Sequence, residues 1–473
     1  MGAFTISETL NPNRVFLLKK SELEKRFDPF YYVPEIVELE KKVLEKNPKK
    51  LRDYVLRISS GATPKTTENE KYYTDKRNGI PFLRVQNLSP TGVLEFEDCK
   101  YINEETHSGM LKRSQVYEGD LLVKITGVGR MAVSSVAPDG FEGNINQHIC
   151  VIKTGNKKLS ETIAAYLNSD IGERLASRRS TGGTRPALDY PALLSLPIIE
   201  DERILEITKK VVSDKTKNES EAKMLFASID DYLNEELGIT LPKRNNLLVN
   251  RIFKSRIGSL SGNRMDCYFY FTEDVEIHLN NGTYETEKFS RLTNSIINGF
   301  DFREYVHEGT PYIKVANIRK GEFDFSRIQF IERDSTFIKK SIQLRKDNLL
   351  LTRKGTYGYA LCLDKDYNYV ISSEIFYIEI KHNMVNAKYL EIFLNSQIGQ
   401  LQFDRVKIGA IMGSLSQEAV KSLRIPLPPL EKQNEIVDNV AKMRFQIKNL
   451  NEKTKAALKK ANKKIASLLT NIH

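Results

Sequence analysis

What most constrains this chain is that it says nearly the same thing twice. Arg26-Phe-Asp-Pro-Phe-Tyr-Tyr32 recurs as Arg264-Met-Asp-Cys-Tyr-Phe-Tyr270, and Ile58-Ser-Ser-Gly61 as Ile296-Ile-Asn-Gly299. Gly79-Ile-Pro-Phe-Leu-Arg-Val-Gln-Asn-Leu88 returns as Gly309-Thr-Pro-Tyr-Ile-Lys-Val-Ala-Asn-Ile318. Asp120-Leu-Leu122 matches Asn348-Leu-Leu350, and Tyr166-Leu-Asn-Ser-Asp-Ile-Gly172 matches Phe393-Leu-Asn-Ser-Gln-Ile-Gly399. Residues 188–198 align with 415–425. The order is kept while the offset drifts from 238 to 227 residues, as small loop deletions would produce. A repeat of this length makes the 473 residues two similar bodies rather than one domain.

Each copy has the same parts. Pro81–Leu88 and Pro311–Ile318 alternate apolar and polar residues in their middles, as half-buried strands do. Asp120-Leu-Leu-Val-Lys-Ile125 and Asn348-Leu-Leu-Leu-Thr352 read as buried strands running into glycines, and His148–Ile152 and Ile375–Ile380 as two more. A short helix follows in each copy, at 161–167 and 387–394. The pattern predicts an α+β fold: a curved, largely antiparallel sheet, twice over.

A long helix closes each copy. Apolar side chains fall at 204, 207, 211, 222, 225, 229 and 232 in the first. In the second they fall at 436, 440, 443, 447, 450, 457, 461, 465 and 468, a sustained seam of the kind that pairs two helices. Residues 201–240 carry 6 basic and 10 acidic groups, and residues 431–473 carry 10 and 4, so opposite charge favours pairing of one helix with the other. An antiparallel coiled coil follows from the repeat, because each helix leaves its own domain at its N-terminus. The expected boundaries are a first domain at 1–199 with an extension at 1–50, a central helix at 200–240, a second domain at 250–428 and a final helix at 429–473.

The sequence argues against several function classes. No apolar run approaches the roughly 18 residues of a membrane span, and the first residues lack a secretory pattern, so a cytoplasmic protein is expected. Cys99, Cys150, Cys267 and Cys362 are too far apart for a zinc motif or a compact disulfide framework. The six histidines are scattered without ligand spacing. There is no GxxxxGK[ST] phosphate loop and no Asn/Asp-Pro-Pro-Tyr/Phe motif, and Gly127-Val-Gly129 lacks the third glycine of a dinucleotide fingerprint. One fragment, Glu379-Ile-Lys381 with Asp364 or Asp366 upstream, resembles a nuclease's magnesium-binding carboxylates. It is common by chance, and a nuclease-bearing subunit is the alternative to a non-catalytic chain. The net charge of +11 favours a nucleic-acid partner.

Two sheet domains alternating with two long helices, with Leu-Asn-Ser-x-Ile-Gly in both copies and Ile425-Pro-Leu-Pro-Pro-Leu-Glu-Lys-Gln-Asn-Glu-Ile-Val437 in the second, resemble the specificity subunit of type I restriction-modification systems. The first copy departs from the pattern at Pro197-Ile-Ile-Glu-Asp-Glu202, which leaves room for a different start to its helix. The resemblance implies a target recognition domain in each half, each reading one half of a bipartite DNA site. It implies helices that fix the spacer and dock modification methyltransferase subunits, and through these restriction subunits. It also implies no catalysis and no bound cofactor in this chain. S-adenosylmethionine, ATP and Mg are expected in the partners.

The candidate DNA contacts recur at equivalent places with different identities. Arg84, Gln86 and Asn87 align with Lys314 and Asn317, residue types that pair with guanine and adenine edges. Glycine loops carrying Lys124, Thr126 and Arg130 in one copy and Arg353, Lys354 and Tyr357 in the other suit close approach to phosphates. A third, basic loop carries Arg178, Arg179, Thr184 and Arg185, and its counterpart carries Arg405 and Lys407.

Overall fold

A computed structural model describes residues 10–24, 26–241, 269, 272, 274–333, 342–409 and 413–470. The second copy of the Arg-x-Asp motif, Cys267, and Met412 of the third loop lie outside them, apart from Phe269. The chain forms two compact units, and the first is discontinuous in sequence, with the second inserted into it. The first is built from residues 1–218 with 452–473, the second from 219–451. The two long helices begin at Glu202 and Leu430, beside the expected divisions at 199 and 428.

In the first unit a four-stranded antiparallel sheet runs in the order Arg57–Ser60, Ile149–Lys153, Leu121–Lys124, Ser134–Val136. In the second the order is Thr293–Asn298, Ile375–Ile380, Leu349–Thr352, Ala360–Cys362. These are the same strands of the repeat in the same places. Leu121–Lys124 and Leu349–Thr352 are buried along their whole length, which explains why they read as unbroken apolar runs. Their side chains still alternate between two cores. Leu121 and Val123 join Cys150 and Ile152 under the helices, while Leu122 joins Ile149 and Val151 on the other face. Leu349 and Leu351 join Phe376 and Ile378, while Leu350 joins Ile375 and Tyr377.

A second sheet in each unit carries a parallel pair within an otherwise antiparallel order. Ile80–Leu83 runs parallel to Glu142–Ile145, with Phe82 opposite Asn144. Thr310–Ile313 runs parallel to Val370–Ile371, with Tyr312 opposite Val370. Two small ladders complete the correspondence: Lys49–Lys50 with Pro197–Ile198, and Thr286–Lys288 with Arg424–Pro426. The two long helices therefore begin on the same construction, despite the proline run being absent from the first copy.

The helix motif Leu-Asn-Ser-x-Ile-Gly is structural. Helix Lys157–Asn168 breaks at Ser169 into Asp170–Arg179, and Ala387–Asn395 breaks at Ser396 into Gln397–Val406. Each serine caps the next helix by accepting from Gly172 N (3.0 Å) or Gly399 N (3.3 Å). Each asparagine bolts the helix to the edge strand. Asn168 accepts from Ser134 N (2.9 Å) and donates to Ser134 O (2.7 Å); Asn395 does the same with Ala360 N (3.0 Å) and O (2.7 Å).

The central helix spans Glu202–Leu237 and the final helix Leu430–Thr470. Within each unit their segments pair antiparallel. In the first unit Asn218 donates to Thr454 (3.0 Å), while Ile204 and Leu205 share a core with Ile465 and Leu469. In the second, Asn439 donates to Tyr232 (2.8 Å) and Lys432 pairs with Glu236 (2.5 Å). The seam does double duty, since Ile436, Val440, Ile465 and Leu469 also pack into the domain cores.

Candidate nucleic-acid interface

Backbone hydrogen bonds assemble one edge in the first unit from four segments. Asn146 N donates to Leu83 O (3.0 Å), Ile125 N to His148 O (2.9 Å), Leu188 N to Ile125 O (2.8 Å) and Gly127 N to Pro186 O (3.0 Å). The turn after Leu83, the turn at 146–148, the glycine loop at 124–130 and the loop at 181–187 are thereby joined in a row. The second unit repeats the plan. Ser372 N donates to Ile313 O (2.9 Å), Arg353 N to Glu374 O (2.9 Å) and Leu415 N to Arg353 O (2.8 Å). Gly61 and Gly299 allow the close approach beneath each edge: a Cβ there would lie 1.7 Å from Ile145 O and 2.1 Å from Ile371 O.

The sequence-derived residues divide on this frame. Arg84, Gln86, Asn87, Lys314 and Asn317 stand on or beside 3-10 turns, because the strands end at Leu83 and Ile313. Asn87 and Asn317 close their own turns. Both are buried, 1% and 2% exposed, accept from Arg84 N (2.8 Å) and Lys314 N (3.0 Å), and donate to the carbonyls of Glu95 and Asp324. Arg84 donates to Asp98 O (2.7 Å) and Gln86 is exposed beside it. Lys314 lies 4.4 Å over the Tyr305 ring.

Several of the basic residues hold the scaffold. Lys124 is buried and donates to the carbonyls of Val128 (2.7 Å) and Arg130 (2.9 Å), and burial lowers its pKa. Arg130 donates to the carbonyls of Asn168 and Ser169 and pairs with Asp170. Arg178 and Arg179 are paired with Glu40 of helix Pro34–Leu44, and Arg405 with Glu276. Arg353 donates to Leu415 O (3.2 Å) and stacks over Phe376. Tyr357 donates to Asp404 (2.6 Å), and Lys407 donates to both. Each of these side chains, expected near phosphates or on the third basic loop, is engaged within the chain in this structure. Thr184 and Arg185 are exposed on the joined loops of the first unit, where Thr126 is half-buried, and Lys354 is exposed on those of the second.

The turns at 146–148 and 372–374 are recognition candidates that the sequence reading missed. Gln147 accepts from Thr63, and the equivalent Ser373 donates to Asp301. His148 and Glu374 occupy matching places. Polarity after an apolar run is visible in the sequence, but only the parallel strand pairing carries these turns to the edge.

The nuclease-like fragment does not converge. Glu379 accepts from Ser295 (2.7 Å), Lys381 donates to Arg291 O (3.0 Å), Asp364 accepts from Tyr367 (2.6 Å) and Asp366 pairs with Arg345 (3.1 Å). Each charge is engaged by a different neighbour. Cys150 and Cys362 are buried thiols, each with its pKa pushed up to about 12 by desolvation.

Residues 292–460 match the family model for the type I restriction modification DNA specificity domain. The EcoBI specificity subunit of Escherichia coli is 22% identical over 429 residues, covering 88% of this chain and 83% of that protein. The MjaVIII specificity subunit of Methanocaldococcus jannaschii is 21% identical over 175 residues, 36% of this chain and 41% of that protein. Among solved structures, the S subunit from M. genitalium aligns with a TM-score of 0.43 at 11% identity, covering 89% of this chain and 95% of that one. The HsdS subunit from Thermoanaerobacter tengcongensis aligns with a TM-score of 0.33 at 15% identity over the same shares. The EcoBI alignment thus runs across both repeats, and the specificity-domain match lies on the second, so the chain is similar to type I specificity subunits along most of its length.

Proposed function

We propose that this chain is the non-catalytic DNA-reading subunit of a restriction-modification assembly, each edge reading one half of a bipartite duplex site. The observation that supports this best is the doubled edge. One backbone plan presents Arg84, Gln86, Gln147 and Arg185 in the first unit and Lys314, Ser373, Glu374 and Lys354 in the second. A shared frame positions the duplex alike, while different side chains discriminate different bases. The paired helices hold the half-sites at fixed spacing and dock modification methyltransferase subunits, through which restriction subunits join. S-adenosylmethionine belongs to the methyltransferase, and ATP and Mg to the partners. The complex acts on chromosomal and incoming DNA in the cytoplasm.

Methylation-sensitive sequencing of DNA from cells expressing the chain with its modification subunit defines the target. The pair Gln147→Ala and Arg185→Ala then relaxes one half-site only, and the pair Lys354→Ala and Ser373→Ala the other only. A well-made base contact is worth roughly 1–3 kcal/mol of discrimination. Equal relaxation of both halves by either pair would show that these side chains position the duplex and do not read it.

A further inference from the structure

We propose that Val128 reads a thymine 5-methyl group in the half-site taken by the first unit. This rests on the DNA-reading role above and adds to it a specificity residue. Val128 is 76% exposed and stands between Gly127 and Gly129, whose φ angles are 124° and 85°. Nothing lies within 4 Å of the position a Cβ would take on Gly129, and at Gly127 the nearest neighbour is the Lys124 side chain. The loop tip therefore stands clear of the domain, on the assembled edge, with an apolar side chain at its apex.

Lone exposed apolar residues are common, and what distinguishes this one is the anchoring beneath it. Lys124 is 4% exposed, and its ammonium gives its hydrogen bonds to the carbonyls of Val128 and Arg130. Arg130 continues the anchor into the turn at Asn168, Ser169 and Asp170. Burying an ammonium is costly unless its hydrogen bonds are made, and here they are spent on fixing the loop that carries Val128. A loop held in advance loses little conformational freedom on docking.

A branched apolar side chain has one sequence-specific partner on the major-groove edges, the thymine methyl. Against the donors and acceptors of other bases it would leave a polar group dry and unpaired. The equivalent residue of the second unit is Thr356, with one methyl and one hydroxyl, following Gly355 at φ 73°. The two edges therefore differ at this position as they do at the turns.

The assembled methyltransferase complex on its target duplex provides the test. Thymines of both half-sites are replaced singly by deoxyuracil, which removes the 5-methyl and leaves pairing intact. One replacement, in one half-site, is expected to weaken binding roughly three- to five-fold, the worth of one methyl withdrawn from a dry contact. In the Val128→Ala complex the same replacement is expected to have no effect. If no uracil replacement weakens binding, or if the preference survives Val128→Ala, the proposal is overturned. Base-pair exchanges run alongside keep the two readings apart. If exchanges in neither half-site alter affinity, the DNA-reading role itself falls; if they matter and the methyls do not, only the role of Val128 falls.

Discussion

Lys124 and Asn87 show how a residue type can mislead at the scale of one side chain. A lysine in a glycine loop looks like a phosphate ligand, and an asparagine near a strand end looks like an adenine reader. Both are turned inward, because a turn's own carbonyls and amides lie nearer than any ligand. For Lys124 this has a pH consequence. Burial lowers its pKa, so the folded chain releases this proton before the unfolded chain does. Its contribution to stability therefore rises as pH climbs from the lowered value towards the ordinary one. Lys124→Met is expected to remove that dependence from pH-resolved denaturation curves. It is also expected to speed amide hydrogen exchange across residues 126–130, since the loop loses its two anchoring bonds. Unchanged exchange there would mean that the loop is held without the lysine.

At the scale of elements, the repeat conserves joints more than surfaces. The break between helices at Ser169 and Ser396 depends on a glycine three residues on. A Cβ at Gly172 or Gly399 would lie 2.2 Å from the carbonyl oxygen of Tyr166 or Phe393. Backbone cannot yield that far cheaply. Gly399→Ala is expected to cost on the order of 2–4 kcal/mol, within the range for overpacking a closed site. Ser396→Ala should cost about 1 kcal/mol, the usual worth of a helix N-cap. Chemical denaturation followed at the second unit checks both, and a Gly399→Ala chain as stable as its parent would refute the packing argument. This is why the Leu-Asn-Ser-x-Ile-Gly signature stood out in the sequence while saying nothing about bases: it is a hinge made rigid.

For the molecule as a whole, the interleaving of the chain carries the main consequence. The core of the first unit is completed by Ile465 and Leu469, 5% and 0% exposed, which arrive from the far end of the chain. Removing residues 452–473 is expected to destabilise residues 26–218 while sparing the second unit's sheets. Two buried aliphatic side chains lost from a core remove several kcal/mol, at roughly 2–5 kcal/mol each. Hydrogen exchange resolved along the chain would show loss of protection on Leu121–Lys124 and Ile149–Lys153. Retained protection there would mean that the first unit is complete without the final helix. The same interleaving predicts that a fragment ending near Leu241 gains stability when mixed with one beginning near Arg251, and light scattering of the mixture reads the pairing.

The sequence by itself determined the doubling, the α+β class, the two long helices and the resemblance to specificity subunits, because each is written in local pattern: period-2 and period-3.6 apolar spacing, turn glycines and a repeated motif. Helix pairing was legible too, through the heptad seam and the opposite charges. What only the tertiary structure decided is which polar side chains face outward. Burial of Asn87, Asn317, Lys124, Arg178 and Arg405 depends on neighbours distant in sequence or on the closure of a turn, and neither leaves a periodic trace. The turns at 146–148 and 372–374 reach the edge only through parallel pairing across some sixty residues, a long-range contact that local composition does not encode.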